Sequence, residues 1–210
     1  MITLHQGDIP ATIDFSASVA VDTESLGLNW KRDRLCLVQL SAGDGDAHLV
    51  QFRRNIYNAP NLVKLLTDPK VTKLFHFARA DMVMIRAWLG IMPAPVYCTK
   101  IVSALVRTFS DRHGLKDLTR DLLGVDLSKE QQTSDWGAEN LSQEQMNYAA
   151  SDVLHLHKLR TKLDAVLARE DRSRLAAEVF RFLPTRAELD IAGWGEGDIF
   201  AHRPTVRPNG

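Results

Sequence analysis

The stretch SVAVDTESLGL, residues 18–28, places two acids one residue apart at the end of an apolar run. Because side chains alternate sides along a strand, Asp22 and Glu24 are expected to point to the same face. Two close carboxylates repel one another and raise each other's pKa, so a cation has to offset their charge. That cation is an Arg or Lys side chain, or a divalent ion that prefers oxygen ligands, such as Mg²⁺ or Mn²⁺. The alternative is an acidic strand end in contact with solvent.

The composition is that of an ordinary globular protein with a sizeable core. The 210 residues are 45% hydrophobic and 25% charged, and 26 basic and 26 acidic residues leave no formal net charge. Binding of nucleic acid through bulk positive charge alone is therefore disfavoured, although a local basic groove stays open. Two cysteines, Cys36 and Cys98, lie far apart in apolar runs and are expected in the core.

The amino-terminal sequence and the apolar runs predict a soluble, cytoplasmic protein. The first ten residues, MITLHQGDIP, lack the basic start and the apolar stretch of a signal peptide. No apolar run approaches the roughly 18 residues that a membrane-spanning helix needs.

The chain predicts a mixed α/β fold that begins with three strands. Runs at 18–24, 34–40 and 47–52 are joined by short connections, which favours an antiparallel meander. The second run, RLCLVQL, is apolar on both faces, as a central strand is. Strands at 71–77 and 94–98 then alternate with helices. A mixed sheet with helices packed on it follows.

Helical spacing, together with start and stop signals, predicts the helices. They lie within 58–69, 78–90, 99–109, 114–124, 142–168 and 172–182. Asn58 is a candidate cap of the first helix, and the last is expected to end before Pro184. The capping box Ser142-x-x-Gln145 opens the long helix.

The carboxy-terminal part of the chain is less regular. The segment 184–202 has apolar and aromatic residues without clear helical phase, and we expect it to pack back on the domain or on a second subunit. Residues 201–210 carry two prolines and no apolar period, which predicts a flexible tail. Residues 1–200 are accordingly expected to form one domain.

Two later motifs carry acids on helices. In FHFARADMVMI, residues 75–85, Asp81 falls in the first turn of a helix, where the helix dipole favours a negative charge. In NYAASDVLHLH, residues 147–157, Tyr148 and Asp152 are four residues apart and share a helix face. Taken alone, each motif has an ordinary structural explanation: an acid that stabilises a helix end, and a packed Tyr beside a surface Asp.

The ordered combination of these motifs resembles the DEDD superfamily of 3′–5′ exonucleases, and the Tyr places it in the branch called DEDDy. The stretches VDTESLGL, KLFHFARADMVMI and SDWGAENLSQEQMNYAASDVLHLHKL are similar to ribonuclease D, and the likeness spans roughly residues 15–165. The resemblance implies a ribonuclease H-like fold: a mixed five-stranded sheet flanked by helices, with a helical carboxy-terminal portion. It also implies hydrolysis of RNA from the 3′ end with release of 5′-phosphomonoesters, as in trimming of tRNA and other small structured RNAs.

The same resemblance implies a two-metal site and a tyrosine that acts beside it. Two divalent ions, Mg²⁺ or Mn²⁺, would stabilise the attacking and leaving oxygens. By motif position, their ligands are Asp22, Glu24, Asp81 and Asp152. Tyr148 would orient the attacking water, because a phenol with a pKa of about 10 is a poor base at neutral pH.

Contacts with the 3′-terminal nucleotide follow from the resemblance as well. Thr23 and Leu28 are the candidates after the first acids, with Leu28 as an apolar wedge against a base; the alternative is a core or turn leucine. His76 falls where the family has a His near the terminal nucleotide. The next residue there is often Asn, but this chain has Phe77.

Local basic stretches are the candidates for phosphate contacts. Arg112 and Lys116 lie in a loop that approaches a helix start, which is typical of a phosphate site. The alternative is an ordinary solvated surface.

Two other functions stay open beside the exoribonuclease. One is a DNA exonuclease of the same superfamily, which only a contact with the 2′-hydroxyl would separate from an RNA enzyme. The other is a catalytically silent nucleic-acid-binding module, which the intact acids and Tyr148 disfavour. The oligomeric state does not follow from the sequence.

Overall fold

A six-stranded mixed sheet carries helices on both faces in the computed structural model, which describes residues 1–128 and 130–202. The strands are β1 (Ile2–Gln6), β2 (Ser18–Ser25), β3 (Leu35–Ser41), β4 (Ala47–Gln51), β5 (Thr72–Phe75) and β6 (Val96–Cys98). The helices are α1 (Pro60–Thr67), α2 (Ala78–Leu89), α3 (Thr99–Val106), α4 (Leu115–Leu123), α5 (Gln143–Leu154), α6 (Leu156–Arg169) and α7 (Ser173–Leu189). A π-helical turn, Asp190–Trp194, follows α7.

The strand order is β1-β4-β3-β2-β5-β6. Strands β2, β3 and β4 form the predicted antiparallel meander, and β5 and β6 extend it in parallel beyond β2. The ribonuclease H-like α/β fold is thus confirmed, with one strand more than the five expected. The additional strand is β1, which pairs in parallel with β4. All five of its residues are partly or fully exposed, and its apolar pattern is limited to Ile2 and Leu4, which pack at the edge of the core. Two apolar residues give a weaker signal than the apolar runs of the other strands.

The two faces of β2 pack against different helices. Val21 belongs to the core under α1, α2 and α7, whereas Ala20 belongs to the core under α3 to α6. Side chains alternate along the strand, so Asp22 and Glu24 continue the face of Ala20, and Thr23 continues the face of Val21. The acids therefore face α5, and Thr23 faces α2.

Two predicted helices differ in length from those in the structure. The helix expected over 142–168 is divided into α5 and α6 at His155, whose φ of −105° and ψ of −10° depart from helical values. Helix α7 continues through Pro184 to Leu189 instead of ending before the proline. Leu183 and Ala187 on either side of the proline are buried in the core. Their packing outweighs the hydrogen bond that the proline removes.

The predicted cap of α1 was also wrong. The helix begins after Ala59, one residue later than Asn58, and no side chain of its own caps it. The cap is the carboxylate of Asp8, which lies far away in the sequence. It accepts hydrogen bonds from the backbone N–H groups of Asn61 and Leu62, each at 2.9 Å. A cap supplied from so far along the chain has no local sequence signal.

Other sequence signals are confirmed. Helices α2 and α4 end at Gly90 and Gly124, whose φ values of 73° and 69° lie in the left-handed region that glycine favours. Both cysteines are free thiols buried in the core. Most of the predicted tail, 203–210, lies outside the described residues. Within the described part of the chain, no helix is long and apolar enough to cross a membrane.

The predicted capping box at the start of α5 is present. The N–H of Gln145 donates to Ser142 Oγ at 3.2 Å, and the N–H of Ser142 donates to Gln145 Oε1 at 2.9 Å. This helix carries Tyr148 and Asp152, so its first turn also supports their position.

Replacement of the cap, Ser142→Ala, is expected to lower the free energy of unfolding by about 1 kcal/mol, because an N–H of the first turn loses its acceptor. Urea denaturation followed by circular dichroism measures it. The matched control is Ser173→Ala, since Ser173 is exposed in the first turn of α7 and is not a cap. We expect that variant to stay within about 0.5 kcal/mol of the parent. Equal losses in the two variants would contradict the role of the box.

Candidate active site

Three acids from β2 and α5 converge on one point. One carboxylate oxygen from each of Asp22, Glu24 and Asp152 lies within 4.8 Å of the others. Ala149 and Ala150 of α5 are fully buried, and their small side chains let the helix approach the sheet closely. The structure therefore brings together two sequence motifs that lie far apart along the chain.

Asp81 reaches the same site from the opposite side of β2. It lies in the first turn of α2, is 6% exposed, and accepts a hydrogen bond of 2.7 Å from Thr23 Oγ1. Thr23 was predicted to contact the substrate. Its hydroxyl donates to Asp81 and so positions an acid. Thr23 also lines a cavity beside the acids, and its contact with substrate stays a prediction.

Burial raises the pKa of each of the four carboxyl groups above its ordinary value. Burial and then the charges of neighbouring acids raise the pKa of Glu24 to about 9 and the pKa of Asp22 well above its usual range. Burial also raises the pKa of Asp81 and of Asp152 to about 7. Within residues 1–128 and 130–202, none of the four forms an ion pair with a basic side chain. A cluster of oxygen donors without a protein cation suits Mg²⁺ or Mn²⁺.

A buried glutamine beside Asp22 was missed by the sequence analysis. Gln39 lies opposite Asp22 in the β2–β3 register and has no exposed surface. Its Nε2 lies 3.4 Å from Asp22 Oδ2, and its Oε1 has no partner among the described residues. The signal that could have revealed it is a polar residue inside the otherwise apolar central strand LCLVQLS.

Asp22, Glu24 and Asp152 open into a cavity of about 350 Å³, whereas Asp81 lines the neighbouring larger cavity. The wall of the smaller cavity also contains His76, Phe77, Lys100, Lys116, Gln132 and Tyr148. Burial, followed by the charge of Asp152, raises the pKa of Tyr148. The phenol therefore keeps its proton at neutral pH and offers a hydrogen bond to whatever occupies the cavity.

Only some of the residues that were predicted to contact the substrate line this cavity. His76 and Lys116 line it, but burial and the nearby Lys100 lower the pKa of His76 to about 3, so its imidazole is neutral. Lys100, which the sequence analysis missed, is the second cation on the described wall. Arg112 does not line the cavity: its side chain is exposed, and its carbonyl accepts a hydrogen bond of 3.4 Å from Arg107. Of the two predicted phosphate contacts, Lys116 therefore lines the cavity and Arg112 does not, and Lys100 is added as a second candidate.

A larger cavity of about 950 Å³ adjoins the acidic one. The two share Thr23, Glu24, Phe77 and Gln132 as lining residues. Leu28 lines the larger cavity and is fully exposed, which excludes a core position for it. The strand β2 shifts register directly after Glu24, and the chain then leaves the sheet to form this wall.

The carboxy-terminal segment forms another wall of the larger cavity, and it packs on this chain. Arg79 of α2 donates from Nη2 to Asp190 Oδ1 at 2.7 Å. Arg186 donates from Nη2 to the carbonyl of Gly195 at 2.9 Å. The contact of Arg79 ties the segment to the helix turn that carries Asp81, and the contact of Arg186 ties it to α7.

Residues 10–168, more than half of the chain, match the family model described as 3′–5′ exonuclease. The chain belongs to the 3′–5′ exonuclease family. Ribonuclease D of Gluconacetobacter diazotrophicus is 38% identical to this exonuclease chain over 154 residues, which cover 73% of the chain and 39% of that protein. The resemblance to ribonuclease D is thus confirmed, and the chain spans about two fifths of the length of the ribonuclease D relatives it matches.

Solved structures match this exonuclease over nearly its whole length. Brucella melitensis NrnC bound to pGG has a TM-score of 0.93 and 53% identity, covering 96% of this chain and 98% of that one. Brucella melitensis NrnC with bound Mg²⁺ has a TM-score of 0.92 and 52% identity, covering 96% and 99%. The Mg²⁺-bound neighbour and the carboxylate cluster together fit a divalent-metal nuclease.

The raised pKa of Glu24 predicts an unusual pH dependence of stability in EDTA. The folded protein holds this proton up to about pH 9, whereas the unfolded chain releases it near its ordinary pKa of 4.5. Folding therefore binds a proton in this window, and the free energy of unfolding falls as the pH rises. We expect the parent to lose stability relative to Glu24→Gln between pH 7 and pH 9. The comparison cancels the contribution of other groups.

Urea denaturation at pH 7, 8 and 9, with and without Mg²⁺, measures this difference. Added Mg²⁺ should stabilise the parent more than the variant, since an ion that binds the folded state replaces the proton. A difference between parent and variant that is independent of pH would show that Glu24 is ionised in the metal-free fold.

Proposed function

We propose that this chain is a divalent-metal-dependent 3′–5′ exoribonuclease that releases 5′-mononucleotides from RNA ends. The observation that carries the proposal is the approach of three half-buried carboxylates, whose oxygens lie within 4.8 Å of one another on the wall of one cavity. Asp81 and Tyr148 lie beside them. Membership of the exonuclease family supports the class of reaction, and the ribonuclease D relatives support RNA.

Two divalent ions, Mg²⁺ or Mn²⁺, are the cofactors of this proposal. Asp22, Glu24 and Asp152 are the ligands of the first ion. Asp22 and Asp81, directly or through water, are the ligands of the second. When bound, the ions supply Lewis-acid stabilisation of the charge that develops on the attacking and leaving oxygens.

Tyr148 orients the attacking water. Its phenol stays protonated because its pKa is raised, so it holds the water by a hydrogen bond and does not act as a base. The water oxygen bonds to phosphorus, and the bond from phosphorus to the 3′ oxygen of the preceding nucleotide breaks. That oxygen takes up a proton, and the released nucleotide keeps the 5′ phosphate. Lys100 and Lys116 offset phosphate charge from the cavity wall.

Short RNA is the substrate that the relatives favour. The expectation of tRNA and other structured RNAs derives from ribonuclease D, of whose length this chain spans about two fifths. NrnC matches nearly the whole of both chains, and its solved complex holds pGG. We therefore favour RNA ends of a few nucleotides, pGG included. Trimming of tRNA, the cytoplasmic location and the assignment of residues 1–200 to one exonuclease domain stay predictions.

Cleavage of end-labelled oligonucleotides tests the proposal. With Mg²⁺ or Mn²⁺, pGG should yield pG, and a longer RNA should shorten from its 3′ end by single nucleotides; EDTA should stop both. Asp22→Asn is expected to lower the rate by at least about a hundredfold, because Asp22 is a ligand of both ions. The matched control is Asp44→Asn, an exposed acid in the β3–β4 turn, which should cleave like the parent.

DNA of the same sequence completes this experiment. Cleavage of DNA alone would indicate the DNA exonuclease. Binding of RNA or DNA without cleavage, in either metal, would indicate the silent binding module. Each of these two results contradicts an exoribonuclease.

Removal of one hydroxyl, Tyr148→Phe, tests the role of the tyrosine. We expect kcat for pGG to fall by roughly a hundredfold, because the water loses its orientation. The parent and the variant should both bind two Mn²⁺ per chain in calorimetry, since the phenol is not a ligand. Tyr57→Phe is the matched control: its hydroxyl donates to the carbonyl of Leu35 at 2.9 Å, away from the acids, and kcat should not change. A fully active Tyr148→Phe would contradict this role.

A further inference from the structure

Phe77 has a backbone conformation that its side chain disfavours. Its φ of 72° and ψ of 43° lie in the left-handed region, at the residue that caps the start of α2. Glycine and asparagine adopt this region readily, whereas a bulky residue is held there only by the surrounding structure. Strain of this kind concentrates at functional sites. The aromatic ring therefore needs an explanation beyond the turn itself.

The ring of Phe77 stands at the junction of the two cavities. Phe77 lines both of them and is 45% exposed, although core positions lie close by in α2. The Nζ of Lys100 lies 4.2 Å from the centre of the ring, and Lys100 lines only the acidic cavity of the two. A strained turn thus presents an apolar ring beside the acids instead of burying it.

An exposed ring with a nearby cation is not by itself a site. Phe109 is 83% exposed, and the guanidinium carbon of Arg107 lies 5.8 Å from its ring centre. Phe109 lines neither of the two cavities, and its backbone is not left-handed. Only Phe77 of these two combines exposure, backbone strain and a place on the wall of the acidic cavity.

A nucleobase is the ligand whose chemistry matches this arrangement. Every base has a flat π face that stacks on an aromatic side chain, and the phosphate beside it favours an ammonium group. We propose that Phe77 is the stacking platform for a nucleobase of the substrate. The inference rests on the proposed function, because it requires a nucleotide substrate.

The lining of the cavities indicates where the base lies. Leu26, Trp30 and Met84 place apolar side chains on the wall of the larger cavity only, whereas Asp22, Asp152 and Lys100 line only the smaller one; Glu24 lines both. A nucleotide that stacks on Phe77 places its phosphate toward Asp22 and Asp152 and its base toward these apolar side chains. Such stacking tolerates any base, so it selects for a nucleotide without reading its sequence.

The variant Phe77→Asn separates the ring from the turn, because asparagine suits the left-handed backbone. For pGG hydrolysis we expect KM to rise by about tenfold or more, with kcat nearly unchanged, the sign of lost substrate binding. The melting temperature should equal or exceed that of the parent, since the backbone strain is relieved. Phe77→Tyr keeps the ring and should keep the KM of the parent.

Two controls make the result specific. Phe109→Asn removes an exposed ring elsewhere and should leave KM unchanged. A 5′-phosphorylated dinucleotide with abasic residues has no base to stack, so the parent and Phe77→Asn should share one KM for it. An unchanged KM for pGG in Phe77→Asn overturns the inference, and so does an equal loss on the abasic substrate. A melting temperature below that of the parent would also overturn it, because the ring would then serve the fold.

Failure of the proposed function is distinguishable from failure of this inference. If the parent leaves pGG intact with either metal, the exoribonuclease assignment fails. Fluorescence polarisation of labelled pGG then compares binding by the parent and by Phe77→Asn. Weaker binding by the variant supports the platform, and equal binding rejects it.

Discussion

Repulsion among closely spaced, half-buried carboxylates is the constraint on which this molecule's site depends. The oxygens of Asp22, Glu24 and Asp152 meet within 4.8 Å, and no basic side chain of the described residues pairs with them. Packing of the buried alanines of α5 on the sheet brings the acids together despite their charge. The fold therefore holds a group of carboxylate oxygens together, and the binding of protons or divalent cations to them stabilises the folded state. That property links the architecture of the sheet to metal-dependent chemistry.

The alternation of side chains along β2 organises the acids around that constraint. Asp22 and Glu24 face α5 and its Asp152, while Thr23 between them faces α2 and holds Asp81 at 2.7 Å. One strand thus connects two helices that pack on opposite faces of the sheet. The register of β2 against β3 shifts after Glu24, Ser25 makes the last pair, and the chain then continues to the wall of the larger cavity.

The neighbourhood of the acids extends beyond the region that matches the family model. That match ends at residue 168, yet Asp190 and Gly195 line the larger cavity. Arg79, in the same helix turn as Asp81, binds both of them. Chain segments inside and outside the family match therefore shape one site, in which the lysines line the smaller cavity and most of the apolar side chains line the larger one.

Local patterns in the sequence were sufficient for the meander, the glycine helix ends, the capping box and the acidic motifs, because each depends on residues a few positions apart. They were insufficient for β1, whose apolar pattern consists of Ile2 and Leu4 alone, and for α7, where packing outweighs the effect of Pro184. The cap that Asp8 supplies to α1, the place of Gln39 beside Asp22 and the tie from Arg79 to the carboxy-terminal segment are contacts that no local pattern reports. The sequence by itself determined which residues can bind a cation and which local element carries each of them. Only the tertiary structure decided that they meet, since packing sets the distance between residues far apart along the chain.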